Sequence, residues 1–244
     1  MHQNTTMRNK TSWWGAALTA MLVCAVGAGF SFPAPAQESE EESEEPEEGM
    51  VELDYELPDP SYSGSPLQYT SERLEPLSWE DRDPIHVPEG VENVARDKPV
   101  SASADPRFNE LEDLVNGEKA YDPDQVVELP EEPQWIQIDL EDEHEIYAIL
   151  FWQFFESERV YFDVVVQVSN DPEFEEDVTT LFNNDYADNL GFGEGEDPEF
   201  ITTHQGRLVE ADGVEARYVR LWSNGNNWND RNHWIEVEVY GKPS

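Results

Sequence analysis

Between Trp135 and Tyr240 the sequence alternates apolar and polar residues with a period of two, and this restricts the fold more than any other feature. WIQIDL (135–140), ARYVRLW (216–222) and HWIEVEVY (233–240) each alternate. That period puts successive side chains on opposite faces of a strand. EIYAILFWQF (145–154) and YFDVVVQVS (161–169) are rich in β-branched and aromatic residues, which also favours strands. Shorter candidates are 178–182, 200–203 and 207–209. Asn, Asp, Gly and Pro clusters separate them: SNDPEF, NNDYADNLGFGEGEDPEF, EADGVEA and NGNNWNDRN. No long stretch carries a helical period. Many short strands with turn signals between them predict an all-β, antiparallel sandwich or barrel over 92–244, a length that buries one core.

Charge narrows the partners. The chain has 244 residues, 55 of them acidic and 14 basic, for a formal net charge of -41. Nucleic-acid binding needs a basic face, so no nucleic-acid partner is expected. Docking on an anionic lipid bilayer is disfavoured for the same reason. Like charge opposes compaction, and salt screens it.

Three segments precede the β region. Arg8 and Lys10, the apolar run from Trp13 to Phe32 and Ala34-Pro35-Ala36 have the order of a signal peptide, residues 1–36. This predicts an exported protein: periplasmic, cell-surface or extracellular. An uncleaved anchor is the alternative. Cys24, the only cysteine, lies in this leader, so the mature chain is expected to have no disulfide. Residues 37–60, beginning QESEEESEEPEEG, read as an acidic disordered linker. Residues 61–91 are punctuated by proline yet contain Tyr69, Leu74, Leu77, Trp79, Ile85 and Val87, and read as an irregular arm packed on the following domain.

NVARDKPVSASAD, DLVNGEKA, QWIQIDL, VYFDVVVQVSNDPEF, ARYVRLWSNGN and IEVEVYG follow one another in an order that resembles the discoidin family (coagulation factor 5/8 type C). The resemblance covers residues 92–242. It implies a galactose-binding-like jelly roll, as in bacterial carbohydrate-binding modules, with ligand binding by loops at one end and no catalysis. It also implies a structural calcium near those loops, held by the Leu114 and Tyr121 carbonyls, the Asn116 side chain and Glu236. Asn116 stands where the family has an acid, and Tyr121 where it has a hydroxyl ligand. Arg220 and Asp139 occupy positions suited to an ion pair.

A sugar site needs an aromatic ring to stack on the pyranose and planar polar groups to read its hydroxyls. FWQFFESERVY (151–161) offers Phe155 and Arg159, NNDYADN (183–189) offers Asn184, and NGNNWNDRN (224–232) offers Asn226, Asn227, Trp228 and Arg231. Phe154 and Phe155 could equally be core at a strand end, and Asn-rich turns are common without ligands. Trp228 stands mid-loop among polar residues, where no core pattern reaches. His86, His144, His204 and His233 show no metal-ligand spacing, and no nucleophile elbow or phosphate loop occurs. The expected function is therefore a non-catalytic module that binds carbohydrate, with a protein-interaction or scaffold protein at the cell surface as the alternative.

Overall fold

The computed structural model describes residues 49–61, 69–78, 80–120, 122, 124–157 and 159–244. The proposed leader and the acidic run up to residue 48 lie outside them. In chain order the strands are β1 (Met50–Glu52), β2 (His86–Pro88), β3 (Glu92–Asn93), β4 (Val100–Ala102), β5 (Val127–Glu131), β6 (Gln134–Gln153), β7 (Val165–Ser169), β8 (Thr179–Asn183), β9 (Arg207–Ser223) and β10 (Arg231–Pro243). A single 3-10 turn, Leu111–Val115, interrupts them among the described residues.

The architecture is all-β and antiparallel. The main sheet runs β3-β10-β6-β9-β7-β8, with β4 on β6 and β5 on β10. Two long strands carry it from one face of a sandwich to the other. The first part of β6 pairs with the last part of β9 (Gln134↔Ser223 to Asp139↔Tyr218), and pairing resumes at His144↔Ala216. At this corner Glu141 has φ of 69°, and at a second register shift, opposite Ile146–Ala148, Asp212 and Gly213 have φ of 49° and 78°. Asp139 Oδ1 accepts the Glu141 N–H at 2.8 Å, which stabilises the turn locally. The sequence pattern resolves each long strand into two segments because the bend breaks the alternation. Ile136, Ile138, Val166 and Leu221 point inward from one face and meet Ile149, Phe151, Val237 and Val239 from the other.

A second apolar layer explains why EIYAILFWQF does not alternate. Leu150, Trp152 and Ile235 project to the outside of their sheet, where Leu53 and Val87 cover them. Both faces of that half of β6 are buried, so both are apolar. The start of the packed chain therefore moves upstream of the expected boundary. Met50–Glu52 is not linker but a strand paired with His86–Pro88. Further along, Leu74 bridges Glu199 in parallel, and Glu75 takes Arg207 Nη1 on both its oxygens at 2.9 and 2.8 Å.

Two smaller expectations change. Asp139 pairs with Arg217 through two hydrogen bonds of 2.7 and 2.8 Å, not with Arg220. Arg220 instead lies over the rings of Trp135 and Phe174 and donates to Gln137 Oε1 at 2.8 Å. Residues 200–203 form no strand, although Phe200 is core.

Candidate functional site

The loop between β9 and β10 is built by its own amides. Asn226 donates through Nδ2 to Asn229 Oδ1 (3.1 Å) and the Arg231 carbonyl (2.9 Å), and its Oδ1 accepts the N–H groups of Trp228 and Asn229. Asn227 pins the loop to its neighbour: its Oδ1 accepts the Val160 N–H at 2.9 Å, and its own N–H donates to the Val160 carbonyl at 3.0 Å. Asn232, fully buried, accepts from Ser223 Oγ and Gly225 N–H and donates to the Pro130 and Glu132 carbonyls. Gly225 has φ of 71°, and a side chain there would meet the Asp230 backbone. These asparagines form a pedestal. Trp228 stands on it with 71% of its surface exposed.

This revises the expected readers. Asn226 is buried and its amide is fully engaged within the loop, so it holds the site's shape and does not read a ligand. Phe155 is 2% exposed and packs with Trp152 and Leu150 in the outer apolar layer, so it cannot meet a ligand. Asn184 is also buried: its Oδ1 accepts the Val164 N–H at 2.7 Å. The loop around it is covered by the arm, with the Arg73 guanidinium 3.8 Å above the Tyr186 ring and the Tyr69 hydroxyl donating to Glu199 at 2.8 Å.

Arg159 and Arg231 belong to a network that the sequence pattern does not show. Glu128, on β5, receives Arg231 Nη1 at 2.9 Å, Arg107 Nε at 3.5 Å and His233 Nε2 at 3.2 Å. His233 Nδ1 lies 3.2 Å from Arg159 Nη1 and 3.1 Å from the Tyr161 hydroxyl. An arginine can only donate, so Nδ1 is the acceptor and Nε2 carries the proton toward Glu128. Burial and then the charge of Arg159 push the His233 pKa down to about 4, so the contact with Glu128 is a hydrogen bond from a neutral imidazole at pH 7. Phe108, 60% exposed, follows Arg107 and bridges Glu128. VELPE (127–131) carries too few apolar residues in alternation to announce a strand, and this kept Glu128, Arg107, Phe108 and His233 out of the expected site.

The expected cation position lies beside the 3-10 turn. Glu236 is fully buried. Its Oε1 accepts the Gly117 N–H at 2.9 Å, and its Oε2 has no partner. Burial, then the neighbouring Glu238, push its pKa up to about 9. Lys119 Nζ sits 2.7 Å from Glu238 Oε1. Gly117 has φ of +84°, in the left-handed region that favours glycine. Asn116 Oδ1 accepts the Glu118 N–H at 2.7 Å. Leu114 is buried, and Tyr121 lies outside the described residues. No group of three or more His, Cys, Asp or Glu side chains converges among the described residues. An orphaned, buried carboxylate oxygen fits a hard cation, which would draw its other oxygens from Asn116 and the main chain.

No protein-family profile matches the chain, and no curated protein does. Solved structures do match. The chain is similar in structure to carbohydrate-binding modules. The CBM32 module of AlyQ in complex with 4,5-unsaturated mannuronic acid is 19% identical, covering 59% of this chain and 95% of that one, with a TM-score of 0.44. A selenomethionine-labelled mutant of chitosan-binding module 1 from a Paenibacillus sp. IK-5 chitosanase/glucanase is 20% identical, covering 62% and 99%, with a TM-score of 0.44. A family 89 glycoside hydrolase from Clostridium perfringens is 19% identical with a TM-score of 0.47. That match covers 62% of this chain but 15% of the hydrolase.

Proposed function

We infer that this chain is an exported, non-catalytic carbohydrate-binding module whose ligand meets the loop end at Trp228. The observation that carries the reading is the exposure of Trp228 on a loop that its own hydrogen bonds hold still. A large exposed ring in a fixed setting stacks on a sugar face with little entropy to lose. Arg231 opens the strand that follows this loop, Asn227 ties the loop to Val160 next to Arg159, and Glu128 lies on the strand paired with β10, with Arg107 and Phe108 in the segment bridged to it. A glycan array read with the full chain tests this. Saturable binding that Trp228→Ala abolishes, with folding intact, is the expected result. Silence on the array together with capture of a specific surface protein would replace the module with a scaffold.

Calcium belongs to the same proposal as a structural ion held by Glu236 and Asn116, with main-chain oxygens of the Leu114–Tyr121 turn. Its chemistry would be to take the place of the proton that burial keeps on the Glu236 carboxyl. Added calcium should raise the wild-type Tm and leave Glu236→Gln unmoved. An indifferent wild type would remove calcium from the reading.

A further inference from the structure

Basic residues, scarce in this chain, gather near the loop end. Of 14 basic residues in the chain, three gather around one carboxylate: Arg107, Arg231 and, through His233, Arg159. His233 is neutral, so Arg107 and Arg231 meet one carboxylate, Glu128, and the Arg159 guanidinium lies across the imidazole from it. Arg159 is 8% exposed and makes no ion pair among the described residues. It is held by Ser157 Oγ at 3.4 Å, by His233 Nδ1 at 3.2 Å and by the Phe154 ring, 3.9 Å below its guanidinium. Arg231 and Arg107 each reach Glu128 through one nitrogen, and a guanidinium has five N–H donors. Arg231 opens β10 directly after the Trp228 loop, where its carbonyl holds Asn226, and Arg107 precedes the exposed Phe108.

We propose that the ligand is an acidic glycan, whose anionic group is read by Arg231 and Arg107, with Arg159 buried behind them, while Trp228 stacks on its ring. This rests on the carbohydrate reading above. The guanidinium fork matches a carboxylate or a sulfate with two parallel hydrogen bonds, so a uronic acid and a sulfated sugar share the chemistry required. The long-range field of the chain repels both, so binding depends on these short-range hydrogen bonds.

The test is calorimetry with the full chain and four oligosaccharides: an oligogalacturonate, a sulfated galactan fragment, a neutral galacto-oligosaccharide and a chito-oligosaccharide. The variants are Arg231→Gln, Arg107→Gln and Trp228→Ala, all at exposed or half-exposed side chains. Binding of an acidic oligosaccharide, weakened at least about tenfold by Arg231→Gln and lost in Trp228→Ala, supports the proposal. The uronate and sulfate arms say which anion is read. Binding of a neutral or amino sugar alone, sensitive to Trp228→Ala but not to Arg231→Gln, overturns the acidic ligand and leaves the module reading intact. No binding of any sugar overturns both.

Discussion

His233 accepts on Nδ1 from Arg159 and Tyr161 and donates from Nε2 to Glu128. A second proton would point at Arg159. Its folded pKa is depressed to about 4 from an ordinary 6.5. The unfolded chain therefore takes up a proton below pH 6.5 that the folded chain refuses until about pH 4. The stability this residue contributes is fully present above pH 6.5 and is lost as pH falls through that window. In urea unfolding between about pH 6.5 and 5, its share is a fall in stability of no more than about 1.4 kcal/mol per pH unit, the limit for one proton, and the Glu236 carboxyl, raised to about 9 in the fold, opposes it. His233→Gln, which keeps one donor and one acceptor without titrating, should remove that share, so the stability of the wild type relative to the variant falls as pH falls. An unchanged slope would place the titrating group elsewhere. Trp228→Ala is the opposite kind of substitution. The ring is 71% exposed, so its loss should leave stability within about 0.5 kcal/mol and appear only in ligand binding. The exposure of Trp228 was legible because it interrupts every core pattern around it. The fate of Asn226 and Asn227 was not, because an amide that reads a sugar and an amide that braces a turn are the same residue in the same kind of loop.

At the level of elements, Asn232 joins more of the fold than its place in a turn suggests. It ties the end of β9, at Ser223 and Gly225, to the start of β10, and both to the turn between β5 and β6 at Pro130 and Glu132. Asn232→Ala strands the Ser223 hydroxyl, the Gly225 N–H and the Pro130 and Glu132 carbonyls, and should cost roughly 2–4 kcal/mol in urea unfolding. It should also weaken glycan binding, since the pedestal of Trp228 rests on it. A change under about 0.5 kcal/mol would mean the loop is held from elsewhere. The strands of this region were legible wherever one face is buried and one is wet, as in WIQIDL and ARYVRLW. They were read as too short wherever a strand bends, at Glu141 and at Asp212-Gly213. β1 was missed for another reason. MVE carries little apolar weight of its own, and its place depends on Leu53 reaching Trp152 and Ile235, both far along the chain.

For the whole molecule, the ruling quantity is the net charge of -41. Only 14 basic residues oppose 55 acidic ones, so most carboxylates have no cation to meet. Salt acts on both populations at once. It screens carboxylate repulsion beyond a Debye length of about 10 Å at 0.1 M, which favours the compact state, and it weakens exposed ion pairs such as Lys98–Glu141, which opposes it. Exposed pairs contribute little, roughly 0–1 kcal/mol each. The buried pair Lys119–Glu238 is shielded from added ions. Relief of repulsion is therefore the larger effect, and Tm should rise by several degrees between about 0.05 and 2 M NaCl. Sodium chloride is the discriminating salt, because sulfate would also strengthen apolar burial and raise Tm for a second reason. A flat or falling Tm in sodium chloride would show that the carboxylates are spaced widely enough to ignore one another, and that the excess acid serves solubility and not a salt-dependent fold.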